Sequence, residues 1–248
     1  MADAGGAGAA ADERSDGTPS ACLLLVCGLP GCGKTSFCKV LLARAAEDPC
    51  LLGSNAEWHH ICYDEIEADL RGPAGDFDPS AWQAARERCM QEAERLLAER
   101  AQRAVLLLDD NMYYRSMRKR WYHFARERGC AYRQVFLQAP QEVCLERNDG
   151  RPPASQVPAF SILHMAEVFE WPRDTGETWE AQPCVTTVLE ADSLSTDHQV
   201  EGFVSSWAVQ VHIPATGGGL PEQLGGPREA VLGPAAARCG ARSARGTD

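Results

Sequence analysis

Residues 22–35 read CLLLVCGLPGCGKT: six apolar residues, then three glycines and a proline around one lysine. A short, unbroken apolar run closed by a glycine turn is the pattern of a strand buried on both faces. The next stretch, KTSFCKVLLARAAE at 34–47, carries Phe37, Val40, Leu41 and Ala45 at helical spacing. The reading is therefore strand, loop, helix. Gly28, Gly33, Lys34 and Thr35 satisfy G-x-x-x-x-G-K-[ST] in the structural context that gives this pattern its meaning. The glycines let backbone N–H groups turn toward a phosphate, and the helix N-terminus adds positive dipole. Lys34 reaches the terminal phosphates, and Thr35 can hold Mg²⁺. The loop thus predicts an ATP-type ligand gripped by Gly28, Gly31, Cys32, Gly33, Lys34, Thr35 and Ser36, with the Cys32 side chain read as packing.

Outward from this loop, the chain alternates strands and helices. A second strand is expected in HHICYDE (59–65), ending near Asp64, and a long helix from about Ser80 to Arg103. Trp82, Cys89, Ala93 and Leu96 share one face of that helix, and Ser80 with Gln83 has capping-box spacing. AVLLLDD (104–110) is another buried strand. RSMRKRWYHFARER (115–128) is a basic helix that turns Met117, Trp121 and Phe124 inward. YRQVFLQAP reads as a strand, QEVCLERN as a helix and ASQVPAFSILHMAEVFEWP as a partly helical segment interrupted at Pro158. PCVTTVLEAD and STDHQVEGFVSSW supply a last strand and a last helix. Apolar strands joined through helices give an α/β fold, a parallel sheet with helices on both faces.

The expected organisation is a disordered leader at 1–20, one domain at 21–207 with a lid near 145–180, and a disordered tail at 208–248. The first twenty residues are small, polar and acidic, and the Gly/Pro/Ala-rich end has no aromatic residue from 208 onward. The longest apolar runs, 21–27 and 104–108, are far shorter than the about 20 residues that span a bilayer, so no membrane partner is expected. Eleven cysteines, an odd number with no C-x-x-C pair, indicate reduced thiols in the cytosol or nucleus, and the cytoplasm is the expected location. A net charge of −11 excludes a protein that coats nucleic acid by bulk electrostatics, leaving only a local basic patch such as Arg115, Arg118, Lys119, Arg120, Arg126, Arg128 and Arg133. That patch serves equally as a solvated face pairing with carboxylates elsewhere.

The absence of N-K-x-D argues against a regulatory GTPase, and a single loop in a short chain points to a kinase of a small acceptor. Asp64, at an expected sheet edge, is placed to orient an acceptor hydroxyl and take its proton. Asp109 and Asp110 close a strand where a Mg²⁺-associated carboxylate belongs, and strand alternation turns only one toward the nucleotide; Asp109 is favoured. Arg147 and Arg151, four apart before a Pro-rich hinge, suit a closing lid that stabilises charge on a transferring phosphoryl group. The pair His59–His60 is read as packing or incidental.

Five stretches in fixed order, GLPGCGKT (28–35), YDEI (63–66), LLLDDNMYYRSMR (106–118), LERNDGRP (145–152) and FEWPRDTGETWE (169–180), resemble the O-phosphoseryl-tRNA(Sec) kinases over roughly residues 21–190. The resemblance implies an adenylate-kinase-like P-loop kinase fold and ATP- and Mg²⁺-dependent phosphorylation of the seryl hydroxyl of Ser-tRNA(Sec), the precursor step in selenocysteine synthesis. It implies Lys34 and Thr35 at ATP and Mg²⁺, Asp64 facing the seryl hydroxyl, Asp109 as the Walker-B-like acid, and Arg147 and Arg151 as lid arginines. Where similar proteins carry a helical tRNA-binding domain, this chain has Gly/Pro/Ala-rich sequence. A nucleotide-binding form without kinase activity, and a kinase of another hydroxyl acceptor, are the alternatives.

Overall fold

The computed structural model describes residues 21–208 apart from 49–50, 52–55, 72–77, 100–102, 173–178, 182–184 and 192–195. The expected leader, and all of the expected tail except Ala208, lie outside the described residues.

Five strands form one parallel sheet: β1 (Ala21–Cys27), β2 (Glu57–Cys62), β3 (Ala104–Asp109), β4 (Ala131–Gln138) and β5 (Thr186–Glu190), in the order β2-β3-β1-β4-β5. The three central strands are those with the most apolar sequence. Leu23 to Val26 and Leu106 to Leu108 are fully buried, each large side chain stabilising the fold by about 1.5–3 kcal/mol. Between them run α1 (Lys34–Glu47), α2 (Tyr63–Arg71), α3 (Pro79–Glu99), α4 (Arg115–Glu127), α5 (Gln141–Asp149) and α6 (Ala159–Val168), and α7 (Thr196–Ala208) follows β5. The connection through α1 leaves β1 toward β2, whereas the connection through α4 leaves β3 toward β4. With right-handed crossovers these helices cover opposite faces of the sheet. Phe37 of α1 packs edge-on against Phe203 of α7 at 5.6 Å on one side, and α4 buries Met117, Trp121 and Phe124 on the other.

The opposite departures from β1 and β3 make the gap between their C-terminal ends the point where an open α/β sheet collects ligands. Asp109 of β3 lies level with Val26 of β1, two residues before the glycine loop begins at Gly28.

Two expected details differ. The second strand ends at Cys62, and Tyr63 already opens α2, so Asp64 is exposed in the first helical turn instead of closing the strand. Acidic residues there meet the positive end of the helix dipole, and Tyr63 is held by accepting a hydrogen bond from Trp121 Nε1 at 2.9 Å. At α3 the cap is Asp78, not Ser80: its Oδ1 accepts from the Ser80 backbone N–H at 2.9 Å and from the Ser80 hydroxyl at 2.6 Å. Pro79 takes the first helical position, where its missing N–H costs nothing. The buried stripe of α3 is Ala81, Ala85, Cys89 and Ala93, with Trp82 and Leu96 at its half-buried margin.

No helix among the described residues is long and apolar enough to cross a membrane. Eight of the cysteines fall among the described residues, and none of these eight is in a disulfide.

Candidate functional site

The glycine loop is shaped by close approach. Gly31 has φ +87°, and a Cβ there would lie 2.2 Å from the Cys144 carbonyl oxygen of α5. Only glycine satisfies both restrictions. Gly33 has φ +102° and open space where a Cβ would go, and it precedes α1 with no side-chain cap, leaving the first amides of the helix aimed outward. Cys32 is buried, as expected of a packing side chain, while Ser36 is exposed in the first turn of α1.

Lys34 is folded into the loop. Its Nζ donates to the carbonyls of Gly28 at 3.1 Å and Leu29 at 3.0 Å, and to Asn111 Oδ1 at 2.9 Å. Burial opposes the ammonium charge, but Cys32 and the carboxylates of Asp109, Asp64 and Asp110 more than offset it, so the lysine pKa is raised. Asn111 also ties the two loops together, its carbonyl accepting from the Gly28 N–H at 3.2 Å. Sequence reasoning did not single out Asn111, although its place directly after the acidic pair was the available signal.

The adjacent carboxyls sit in contrasting surroundings. Burial works to raise the Asp109 carboxyl, yet hydrogen bonds from His60 and Thr35 and the Lys34 charge outweigh it, leaving the pKa below the usual value. Asp110 is pushed up to about 6, by burial first, with Arg86 opposing and Asp64 adding to the rise. The Asp109 surroundings favour its ionised form, and the hydroxyl of Thr35 is among its hydrogen-bond partners. A divalent cation with oxygen preference fits this pair. The expectation that His59–His60 is incidental fails for His60, whose Nε2 donates to Asp109 Oδ2 at 3.3 Å. Cys62 is level with Asp109, so His60, two residues earlier on β2, projects from the same face and reaches diagonally across the strands.

Asp64 joins this cluster through its charge, which acts on both Lys34 and Asp110. Arg147 and Arg151 lie on the other flank of the loop, at the end of α5 and just past it; their charges act on Cys144, and that of Arg147 also on Cys32. Arg147 Nη1 donates to the Ala191 carbonyl at 3.1 Å, at the end of β5. The segment after α5 is clamped by Asn148, whose amide donates to the Val157 carbonyl at 2.8 Å and accepts from the Val157 N–H at 2.9 Å. Arg86 of α3, also missed in the sequence, faces the acidic cluster with its guanidinium 4.8 Å over the Trp82 ring.

Behind the site, Arg118 of α4 is completely buried. It donates from Nε to Glu180 Oε1 at 2.6 Å, and from its two terminal nitrogens to the carbonyls of Met112 at 2.7 Å and Glu170 at 2.6 Å. Gln134 adds a hydrogen bond to the same Glu180 oxygen at 3.1 Å. Met112 has φ +47°, so Arg118 pins a strained turn next to Asn111. The basic patch is thus partly structural: Arg118 of α4 and Arg133 of β4 are buried, Arg115 lies 3.4 Å from Glu180, and Arg128 pairs with Glu94. Lys119, Arg120 and Arg126 remain exposed.

Comparison with known proteins places these features in a wider group. The family described as AAA domain matches residues 23–172. The L-seryl-tRNA(Sec) kinase of Homo sapiens is 28% identical over an alignment covering 67% of this chain and 60% of the relative. That of Methanococcus maripaludis is 26% identical, covering 64% and 56%. The chain therefore spans about 60% of the length of the human relative. Among solved structures, Kti12 of Chaetomium thermophilum in complex with ADP-AlF3 superposes with a TM-score of 0.54 at 17% identity, covering 75% of this chain and 99% of that one. The APS kinase CysC of Mycobacterium tuberculosis with AMPPNP and APS gives 0.51 at 18% identity, covering 76% and 98%. These likenesses establish a shared P-loop kinase fold.

Proposed function

The chain belongs to the AAA domain family, and from that premise we propose that it is an ATP-dependent kinase that phosphorylates the seryl hydroxyl of Ser-tRNA(Sec). The observation that carries the reading is convergence: Lys34 and Thr35 of α1, Asp64 of α2, Asp109 of β3 and Asn111 in the turn after it come together where β1 and β3 end. The relatives named L-seryl-tRNA(Sec) kinase supply the acceptor.

In this reading the loop amides and the uncapped start of α1 hold the phosphates. Lys34 exchanges its carbonyl partners for phosphate oxygens. Asp64 orients the seryl hydroxyl and accepts its proton as the new O–P bond forms and ADP leaves. Mg²⁺, held by Thr35 and Asp109, would neutralise charge on the phosphates. Arg147 and Arg151 close over the transferring group and exclude water, with the Asn148 clamp marking where that movement would hinge.

Incubation with γ-labelled ATP and either Ser-tRNA(Sec) or Ser-tRNA(Ser) tests the proposal. Label is expected on the former alone, and Asp64→Asn should lower transfer by about 10²-fold or more while ATP still binds. Label on neither acceptor, with ATP binding intact in both proteins, would instead identify a nucleotide-binding protein. Label on free metabolites or polynucleotide ends would identify a kinase of another hydroxyl acceptor.

A further inference from the structure

The side chains beneath the phosphate loop hold a donor set of which the proposed phosphoryl transfer uses only Asp109. Cys38 of α1, His60 of β2 and Asp109 of β3 bring Sγ, a ring nitrogen and a carboxylate oxygen within 4.8 Å of one another. The arrangement follows from the fold. Asp109 and the register of β2 put His60 on the face covered by α1, and Cys38 lies one helical turn after Thr35 on that helix. Cys38 is fully buried, Asp109 is 3% exposed, and the His60 side chain is 15% exposed, so two donors are enclosed and the third opens toward solvent.

We propose that Cys38 Sγ, His60 Nε2 and the Asp109 carboxylate form a binding site for a borderline-soft divalent cation of the zinc type. The donor chemistry selects such an ion. Thiolate and imidazole are ligands for zinc and cobalt, whereas Mg²⁺ takes oxygen ligands and keeps water. The spacing also fits. Two nitrogen or oxygen ligands on a tetrahedral ion with bonds of about 2.0 Å lie about 3.3 Å apart, and His60 Nε2 is 3.3 Å from Asp109 Oδ2. The same separation that serves a hydrogen bond therefore serves joint ligation once the imidazole proton moves from Nε2 to Nδ1. Cys38 has to give up its thiol proton to solvent, so loading releases one proton. A water or the Thr35 hydroxyl completes four-fold coordination.

Since Asp109 is shared with the proposed Mg²⁺ ligand pair, the two ions exclude one another. That consequence alone rests on the kinase reading; the site itself does not.

Cobalt(II) is the probe, added to the full chain without nucleotide. Tetrahedral d–d bands and thiolate-to-cobalt charge transfer are expected to saturate with one ion that depends on Cys38. In Cys38→Ser the charge-transfer band of that ion should vanish, and in His60→Gln affinity should fall by at least 10-fold. Far-UV circular dichroism and a metal-free melt show whether each variant is folded, and Cys38→Ala replaces the serine variant if it is not. Spectra and affinity unchanged in both variants would place the cobalt on other thiols and overturn the proposal, as would the absence of saturable absorption in the parent chain.

Discussion

Single residues of the glycine loop are constrained in different ways, and substitution should separate them. A Cβ on Gly31 meets a backbone carbonyl of α5 that cannot move without shifting that helix, in addition to the cost of φ +87°. A Cβ on Gly33 meets nothing, so only its backbone conformation resists. Gly31→Ala should therefore lose clearly more stability in urea than Gly33→Ala, whose cost is about 1–3 kcal/mol; equal losses would show that α5 yields to the loop. Asp110 makes a prediction in pH. Its carboxyl is raised from 3.8 to about 6, so between these values the folded state binds the proton that the unfolded state has released. Stability contributed by this group is present below about pH 4 and is lost as pH rises through 6. Asp110→Asn should stabilise the protein at pH 7.5, and the gain should disappear at pH 4 when melts are compared across that range. A gain independent of pH would assign the effect to packing instead of charge.

At the level of elements, the buried Arg118–Glu180 pair links α4 to the segment that precedes β5, 62 residues away, and holds the turn at Met112 that carries Asn111. Arg118→Met should cost about 3–5 kcal/mol because buried Glu180 loses its closest cation and keeps only Arg115 at 3.4 Å and the Gln134 amide. The double variant Arg118→Met, Glu180→Leu should recover part of that loss, and a double-mutant cycle in urea reads the coupling. A double variant as unstable as the sum of the two singles would mean that the carbonyl contacts of Arg118 matter more than the ion pair. This pair also marks where sequence reading ends. β1, its loop and α1 were legible because apolar periodicity, glycine spacing and a helix signal all lie within residues 21–47. The end of β2 was misplaced because Tyr63 is equally at home closing a strand or opening a helix, and its contact with Trp121 decides. His60 looked incidental because its partner lies 49 residues further along the chain, and Arg118 read as a surface cation because nothing near it announces Glu180. Local pattern reports elements, whereas the polar contacts that join them depend on the register of strands from distant segments.

For the whole molecule, electrostatics sets how a polyanionic acceptor can be met. With 35 acidic against 24 basic residues, most of the surface repels phosphate, and α4 offers fewer free cations than its sequence suggests. Arg118 is buried, and Arg115 and Arg128 are engaged with carboxylates, leaving Lys119, Arg120 and Arg126 exposed beyond the Asn111 turn. If this face meets the tRNA backbone, each phosphate contact contributes about 0.7–0.9 to the slope of log affinity against log salt. Three contacts then predict a slope of only about −2 to −3 for seryl-tRNA. Lys119→Glu with Arg120→Glu should raise the KM for seryl-tRNA by about 10-fold or more at low salt, while the KM for ATP stays unchanged because neither residue touches the loop. Measuring both constants at about 50 and 200 mM salt, the range over which phosphate contacts are screened, separates the possibilities. An unchanged KM for seryl-tRNA in the double variant would leave the exposed face of α4 as a solvated surface, and the acceptor would have to be captured elsewhere on the chain.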